Sequence, residues 1–355
     1  MDITKLDENF KQSRLGGIFD YYSPADMPMC LEGFPWKGKD NEYCRLPLAW
    51  KENFRLPLME LAECTAGGCV RFRTNSGKLA LRVKMGMQCN FGHMSRSGEA
   101  GFDLYVKEKG YHLLANFRPE FKEDKIETEL DLPSRGKLTE YMLYFPLYAG
   151  VRTIEIGLTR GSKVLSPSEH KVEKPVLFYG SSITQGGCAS RPGSCYPAIV
   201  CRALEAPMVN LGFSGQAKGD LSLAKLIGSL SLSAFVLDYD HNAPSAEVLE
   251  QTHLPFFEVF RSIQPVTPVV MVSRPFSKTE ELEMTKKRRQ VIMRTYRHAQ
   301  EQGDKHVYFV DGMEFFKDIP MGEATVDRCH PTDLGFYFMA KKILPILRRA
   351  ISEAE

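Results

Sequence analysis

Tyr179-Gly180-Ser181-Ser182-Ile183-Thr184-Gln185-Gly186-Gly187 stands directly after the apolar run Pro175-Val176-Leu177-Phe178 and before a segment, 196–204, of helical spacing. A run of that kind forms a buried strand, so the stretch reads as a strand-to-helix turn. A small hydroxylic residue at the mouth of such a turn, with glycines letting the backbone pass close to a ligand, is a good place for a nucleophile. Ser182 is the candidate. The same serines would also serve to cap the next helix and the same glycines to turn the chain. From this stretch alone the two readings weigh equally.

Asp327-Arg328-Cys329-His330-Pro331, ahead of the C-terminal helical pattern, tips the balance. An Asp three residues before a His can fold back so that its carboxylate accepts from one imidazole nitrogen, which leaves the other to take a proton from a serine. Asn210-Leu211-Gly212-Phe213-Ser214-Gly215 follows a second apolar run, and Asp240-His241-Asn242 follows a third, Ala234-Phe235-Val236-Leu237. They offer the backbone N–H of Gly215 and the side-chain amide of Asn242, donors of the type that stabilise an oxyanion. Glycine suits the first position because a Cβ there would crowd the oxygen.

The order Ser, Gly, Asn and then Asp-x-x-His resembles the SGNH (GDSL-type) hydrolase family over roughly the second half of the chain. Two departures stand out: Ser181 replaces the usual Asp before the nucleophile, and Asp240-His241-Asn242-Ala243 stands where the family commonly has Gly-x-Asn-Asp. The resemblance implies a flavodoxin-like α/β domain with a parallel sheet. It implies a serine esterase in which Ser182 attacks, His330 is the base and Asp327 orients it. Ser182, Gly215 and Asn242 would form the oxyanion hole, and no metal or organic cofactor is needed.

Gly101-Phe102-Asp103-Leu104-Tyr105 is similar to the Gly-x-Asp-Leu-Tyr signature of a β-rich domain that precedes the catalytic domain in one subgroup of that family. The subgroup looks like carbohydrate-active esterases, which implies short acyl groups, acetyl first, on a sugar hydroxyl. Strand alternation offers a simpler role for the motif, with Phe102, Leu104 and Val106 in a core and Asp103 and Tyr105 facing outward. We favour that role over direct contact with substrate.

A chain of 355 residues exceeds the roughly 250–300 at which one core usually stops growing. Two domains are expected, 1–167 and 168–355, with a linker over 162–174. The first speaks in strands: 70–73, 79–84, 101–106, 126–130 and 151–156 alternate apolar and polar residues, and no helical period interrupts them. Two packed sheets in a jelly-roll-like sandwich are the simplest solution. After the linker, short apolar runs at 176–179, 208–211, 234–238, 269–272 and 307–310 alternate with helical patterns near 196–204, 221–229, 246–263, 280–302 and 333–351. That alternation argues for a parallel sheet covered on both faces, with ligands outside the carboxyl ends of its strands.

Hydrophobic residues at 43% and charged residues at 25% are ordinary for a globular protein, so neither disorder nor a membrane span is indicated. A net charge of +2 carries no nucleic-acid signature, and the basic run 286–289 reads as the solvated face of a helix. Nine scattered cysteines read mostly as free thiols, with Cys188 and Cys195 left open as a pair beside the nucleophile. Cys64 and Cys69 lack the matching histidines of a zinc site. Met1-Asp2-Ile3-Thr4-Lys5 lacks the regions of a signal peptide, so the chain as given reads as cytoplasmic.

Arg274, at the end of the fourth run, would bind a polar group of the substrate or pin a loop through a carboxylate. His241 would touch substrate or point the other way. The remaining histidines read as surface or core residues. The partner expected is a small-molecule or oligosaccharide ester, with no nucleic acid and no membrane, and the oligomeric state stays open. Lipase or thioesterase action with the same triad is the nearest alternative. A non-catalytic carbohydrate-binding protein would not keep Ser182, Asp327 and His330 together.

Overall fold

The computed structural model describes residues 15–38, 42–134, 136–276, 279–320 and 322–354, so residues 1–5, on which the targeting expectation rests, lie outside it. In the first part the strands are β1 (Phe19–Tyr22), β2 (Cys30–Glu32), β3 (Cys69–Thr74), β4 (Lys78–Gln88), β5 (Phe102–Lys107), β6 (Tyr111–Phe117), β7 (Lys125–Asp131), β8 (Thr139–Tyr144), β9 (Ala149–Thr159) and β10 (Val164–Leu165). They form two antiparallel sheets, one ordered β1-β9-β4-β7 and the other β10-β3-β8-β5-β6 with β2 added on β3. Leu79, Leu81 and Val83 of β4 and Ile154 and Ile156 of β9 share a core with Phe72, Leu104, Val106, Tyr141 and Leu143 of the facing sheet. Each such side chain contributes about 1.5–3 kcal/mol when fully buried. Two short helices, α1 (Leu56–Ala62) and α2 (Arg96–Glu99), do interrupt the series of strands.

The linker expected at 162–174 is strapped to the sandwich. Val164 pairs with Thr74, the Ser168 N–H donates to Glu140 Oε2 at 2.8 Å, and Arg73 donates to the Ser166 carbonyl at 2.7 Å.

The second part contains β11 (Val176–Gly180), β12 (Met208–Gly212), β13 (Ala234–Asp238), β14 (Val269–Val272) and β15 (Val307–Val310) in one parallel sheet ordered β12-β11-β13-β14-β15. Its helices are α3 (Ser182–Gln185), α4 (Tyr196–Leu204), α5 (Leu221–Gly228), α6 (Ala246–Ile263), α7 (Leu282–Glu301) and α8 (Asp333–Ser352). Alternation within a strand sends residues to opposite faces. Val176 and Phe178 join the core under α4 and α8, whereas Leu177 and Tyr179 join the core under α5, α6 and α7. Gly180 is in register with Gly212 on one side and Asp238 on the other. The blocks that follow β11, β12 and β13 therefore leave the sheet side by side.

Both cores are shared with the first part of the chain. Tyr105, Met142, Tyr144, Leu147 and Tyr148 pack under α4 and α8, while Leu46, Leu58 and Ala62 pack on the opposite face. Arg45 is fully buried and donates to the carbonyls of Leu61 and Cys64 (2.6 Å each), Asn210 (3.1 Å) and Gly212 (2.6 Å). Burial lowers its pKa to about 10. It remains protonated at neutral pH and holds the carboxyl end of β12 against the first part.

Candidate active site

Ser182 opens α3. Its N-cap, Ser181, is extended (φ −81°, ψ −165°), and its Oγ accepts from the Ile183 N–H. A serine thus performs at 181 the capping that an Asp can also perform. The short helix lies close over β12, where a Cβ added to Gly212 would come within 2.1 Å of the Gln185 nitrogen. Two side chains bind this turn to the next block: Asn210 Nδ2 donates to the Thr184 carbonyl at 2.8 Å, and Gln185 Oε1 accepts from the Ser214 N–H at 3.0 Å.

Ser182 Oγ lies 2.9 Å from His330 Nε2, and His330 Nδ1 lies 2.7 Å from Asp327 Oδ2. Asp327 Oδ1 accepts the backbone N–H of Cys329 at 3.0 Å and of His330 at 2.7 Å. Arg328 adopts φ +66° between them, in the left-handed region that strains a non-glycine residue. Burial pushes the Asp327 carboxyl up, but the His330 ring and the two backbone donors outweigh it and hold the group below its usual range. Asp333 is engaged elsewhere and accepts from the Ser190 N–H at 2.8 Å.

Gly215 has φ +68°, and a Cβ built on it meets nothing within 4 Å. Its left-handed backbone, rather than the crowding expected from sequence, is what calls for glycine. Asn242 Nδ2 donates to the Phe213 carbonyl at 2.8 Å. An amide nitrogen carries two hydrogens, so one N–H is left after this bond. Beneath it, buried Asp240 pairs with Arg288 at 3.0 Å, and Arg288 also donates to the carbonyls of Asp240 and Ala243 at 2.8 Å each. This corrects the reading of 286–289 as a solvated face, because Arg288 is only 3% exposed.

The Arg274 N–H donates to Asp240 Oδ2 at 3.0 Å and its guanidinium pairs with Glu281 at 2.9 Å, so the loop-pinning contact is formed. His241 Nδ1 lies 3.9 Å from Cys329 Sγ, beside the Asp327–His330 loop. All nine cysteines are free, Cys188 and Cys195 among them. Burial, with Asp327 and Cys329 adding to it, pushes the Cys188 thiol up to about 11, which keeps it protonated beside the serine. Two other histidines have carboxylate partners that the sequence did not suggest: His170 meets Glu32 at 2.9 Å and His298 meets Glu258 at 3.4 Å.

The sandwich reaches this site directly. The Tyr148 hydroxyl donates to the Ser182 carbonyl at 3.2 Å, and the His93 ring lies 5.9 Å from the His330 ring. Phe102, Leu104 and Val106 fill the sandwich core as alternation requires. Asp103 and Tyr105 face the other way but are buried rather than solvated. Asp103 Oδ2 accepts the Gly193 N–H at 2.8 Å and Arg191 Nη1 at 3.1 Å, and Arg191 also donates to the Tyr105 hydroxyl oxygen. The Gly-x-Asp-Leu-Tyr stretch is thus a latch between the two halves. Its Asp and Tyr were the available signal, since neither residue type is expected to be lost from solvent without a partner.

Residues 173–348 match the model of the GDSL-like lipase/acylhydrolase family, and residues 19–164 match that of the N-terminus of SGNH-hydrolase-type esterases. The chain belongs to the SGNH (GDSL-type) hydrolase family. By class this SGNH hydrolase is a carboxylic ester hydrolase that acts on acyl esters. No curated protein matches it significantly. A Bacteroides ovatus protein described as a GDSL-like lipase is 25% identical and superposes with a TM-score of 0.85, over 94% of this chain and 98% of that one. The salicylyl-acyltransferase SsfX3 of a tetracycline biosynthetic pathway has 20% identity and a TM-score of 0.77, over 93% and 97%. A family two carbohydrate esterase from Cellvibrio japonicus has 13% identity and a TM-score of 0.60, over 95% and 99%. The last two share its fold. No helix among the described residues is long and apolar enough to cross a membrane.

Proposed function

We propose that this SGNH hydrolase is a serine esterase that removes short acyl groups, acetyl first, from carbohydrate hydroxyls. The observation that carries the reading is the continuous chain from Ser182 Oγ to His330 at 2.9 Å and from His330 to Asp327 at 2.7 Å. In this mechanism His330 Nε2 takes the Ser182 proton as Oγ attacks the ester carbonyl, and Asp327 stabilises the imidazolium that forms. The N–H groups of Ser182 and Gly215 and the free amide N–H of Asn242 hold the tetrahedral oxyanion. Ser182 begins a helix, so its N–H has no intrahelical acceptor and is available. His330 then protonates the leaving alcohol, and in the second half-reaction it activates the water that releases the acid.

Two observations support sugar as the alcohol side. The sandwich stands against the nucleophile through Tyr148 and His93, and ligand sites favour such interfaces. Carbohydrate esterases of the same architecture are structural neighbours, among them an acetyl xylan esterase from Butyrivibrio proteoclasticus at 12% identity and a TM-score of 0.59. The division at 1–167 and 168–355 belongs to this proposal: the first domain shapes the alcohol side and the second carries the chemistry. The higher TM-score to the salicylyl-acyltransferase favours a second reading, acyl transfer to an acceptor hydroxyl in place of water.

The test is labelling with a fluorophosphonate, located by peptide mass at Ser182, followed by kcat/KM for aryl acetate, butyrate and octanoate and for acetylated sugars. Label at Ser182, rates that fall with chain length and release of acetate from a sugar are expected. Rates that rise with chain length, or no acetate from any sugar, would replace the deacetylase with the lipase or thioesterase alternative.

A further inference from the structure

Around the triad's own histidine, the structure gathers three strong metal-binding side chains at one point. His93 comes from the loop after β4, Cys188 from the loop after α3, and His330 from the loop before α8, and one ligand atom of each lies within 4.8 Å of the others. Protein contacts join the three loops. The Cys188 N–H reaches the Pro331 carbonyl at 3.4 Å, and Phe91 packs edge-on to Tyr148, whose hydroxyl bonds to the Ser182 carbonyl.

We propose that a soft divalent cation, with zinc as the reference case, binds between His93, Cys188 and His330 and in doing so switches the esterase off. Two imidazoles and a thiolate are a donor set that zinc prefers, and hard cations such as magnesium or calcium do not. Zinc–ligand bonds of about 2.0–2.3 Å in a tetrahedron put donor atoms roughly 3.3–3.7 Å apart. The cluster must therefore tighten by about an ångström. The exposed His93 ring can supply most of that movement, since Cys188 is buried and His330 is held by Asp327.

His330 has one nitrogen on Asp327, so it offers the metal Nε2, the nitrogen that otherwise accepts from Ser182. Coordination gives that lone pair to zinc, and the Cys188 thiol proton leaves to water. Ser182 then has no base. Binding alone is independent of the triad's role, whereas the inhibition rests on the mechanism proposed above.

The experiment uses the full chain freed of metal by a chelator, then titrated with metal-buffered zinc or cobalt(II). Wild type is expected to bind one cobalt with a thiolate-to-metal charge-transfer absorption and to lose aryl acetate hydrolysis in step with zinc occupancy. H93Q and C188A are each compared with their own zinc-free turnover, which for C188A should match wild type. They should need more than about 10-fold more zinc for the same inhibition, at least the loss that follows removal of a mere supporting group. His93 is exposed, so H93Q tests the site without a burden on folding. No thiolate band in wild type, or inhibition unchanged in both variants, overturns the site. A band without loss of activity overturns the inhibition. Retained hydrolysis in Ser182→Ala would instead overturn the triad and leave the band as it is.

Discussion

The side-chain amide of Asn242 donates to the main-chain carbonyl of Phe213 at 2.8 Å, which ties the loop after β13 to the loop after β12. One amide hydrogen is thereby fixed and the direction of the other is set by the planarity of the group. Asn242→Ala is expected to reduce kcat for an aryl acetate by on the order of 10²–10³, the usual cost of one oxyanion donor. A loss smaller than about threefold would show that Asn242 is a strut for Phe213 and nothing more.

Asp327 meets His330 through its side chain and through its backbone, and the two contacts separate by substitution. Asp327→Asn can keep the backbone contacts through Oδ1 but presents the wrong tautomer to the imidazole. Turnover is expected to drop by on the order of 10⁴ with thermal stability little changed. A mild loss would mean that another group orients His330, with Asp333 the next to substitute although Ser190 now holds it.

Asp238 ends β13, fully buried, and accepts from Tyr196 at 2.8 Å and Thr184 at 3.0 Å. Burial pushes its carboxyl up to about 7, against those two hydrogen bonds. The folded state then binds more protons than the unfolded state between about pH 4 and pH 7, so stability falls as pH rises through that window and levels off above it. Asp238→Asn should remove this slope. Urea denaturation of both proteins from about pH 5 to about pH 8 should show the variant gaining relative to wild type as pH rises. Parallel pH dependences would mean that Asp238 is ionised in the fold.

Gly193 faces the Asp103–Tyr105 latch so closely that a Cβ would lie 2.3 Å from the Tyr105 hydroxyl. Gly193→Ala is expected to cost about 1–3 kcal/mol of stability, as overpacking usually does. The variant should keep kcat at temperatures where it is folded. A change in KM or kcat without a change in stability would transfer the motif from latch to substrate contact.

The parallel sheet was legible because its strands are buried on both faces. They appear as unbroken apolar runs such as Val269-Val270-Met271-Val272, and the structure begins and ends β13, β14 and β15 where those runs do. The sandwich was legible where apolar and polar residues alternate, whether the polar side chain is solvated, as Arg82 on β4, or buried with a partner, as Asp103 on β5. β8 is buried along almost its whole length, between the sandwich core and the second half, so Tyr141 to Tyr144 show no alternation to read. β6 at a sheet edge is partly exposed on both faces and fails for the opposite reason. In the site, Ser182 and the Asp327–His330 pair are announced by local spacing. Arg45, Arg288 and Tyr148 act across long sequence separations, and nothing nearby in sequence distinguishes them from ordinary surface residues.

The core under α4 and α8 draws Tyr105, Met142, Tyr144, Leu147 and Tyr148 from the sandwich, and Arg45 grips β12 from the other face. Evolution often trades catalytic modules between genes as cassettes, with neighbours joined by a tether. This fold resists such trade. A hydrolase half moved into a new gene without its own sandwich would arrive with a bare apolar face and a Ser182 turn lacking its Tyr148 brace. Descendants of this lineage should therefore inherit the two halves as one unit, and chimaeras should tolerate a join outside the pair far better than one between them.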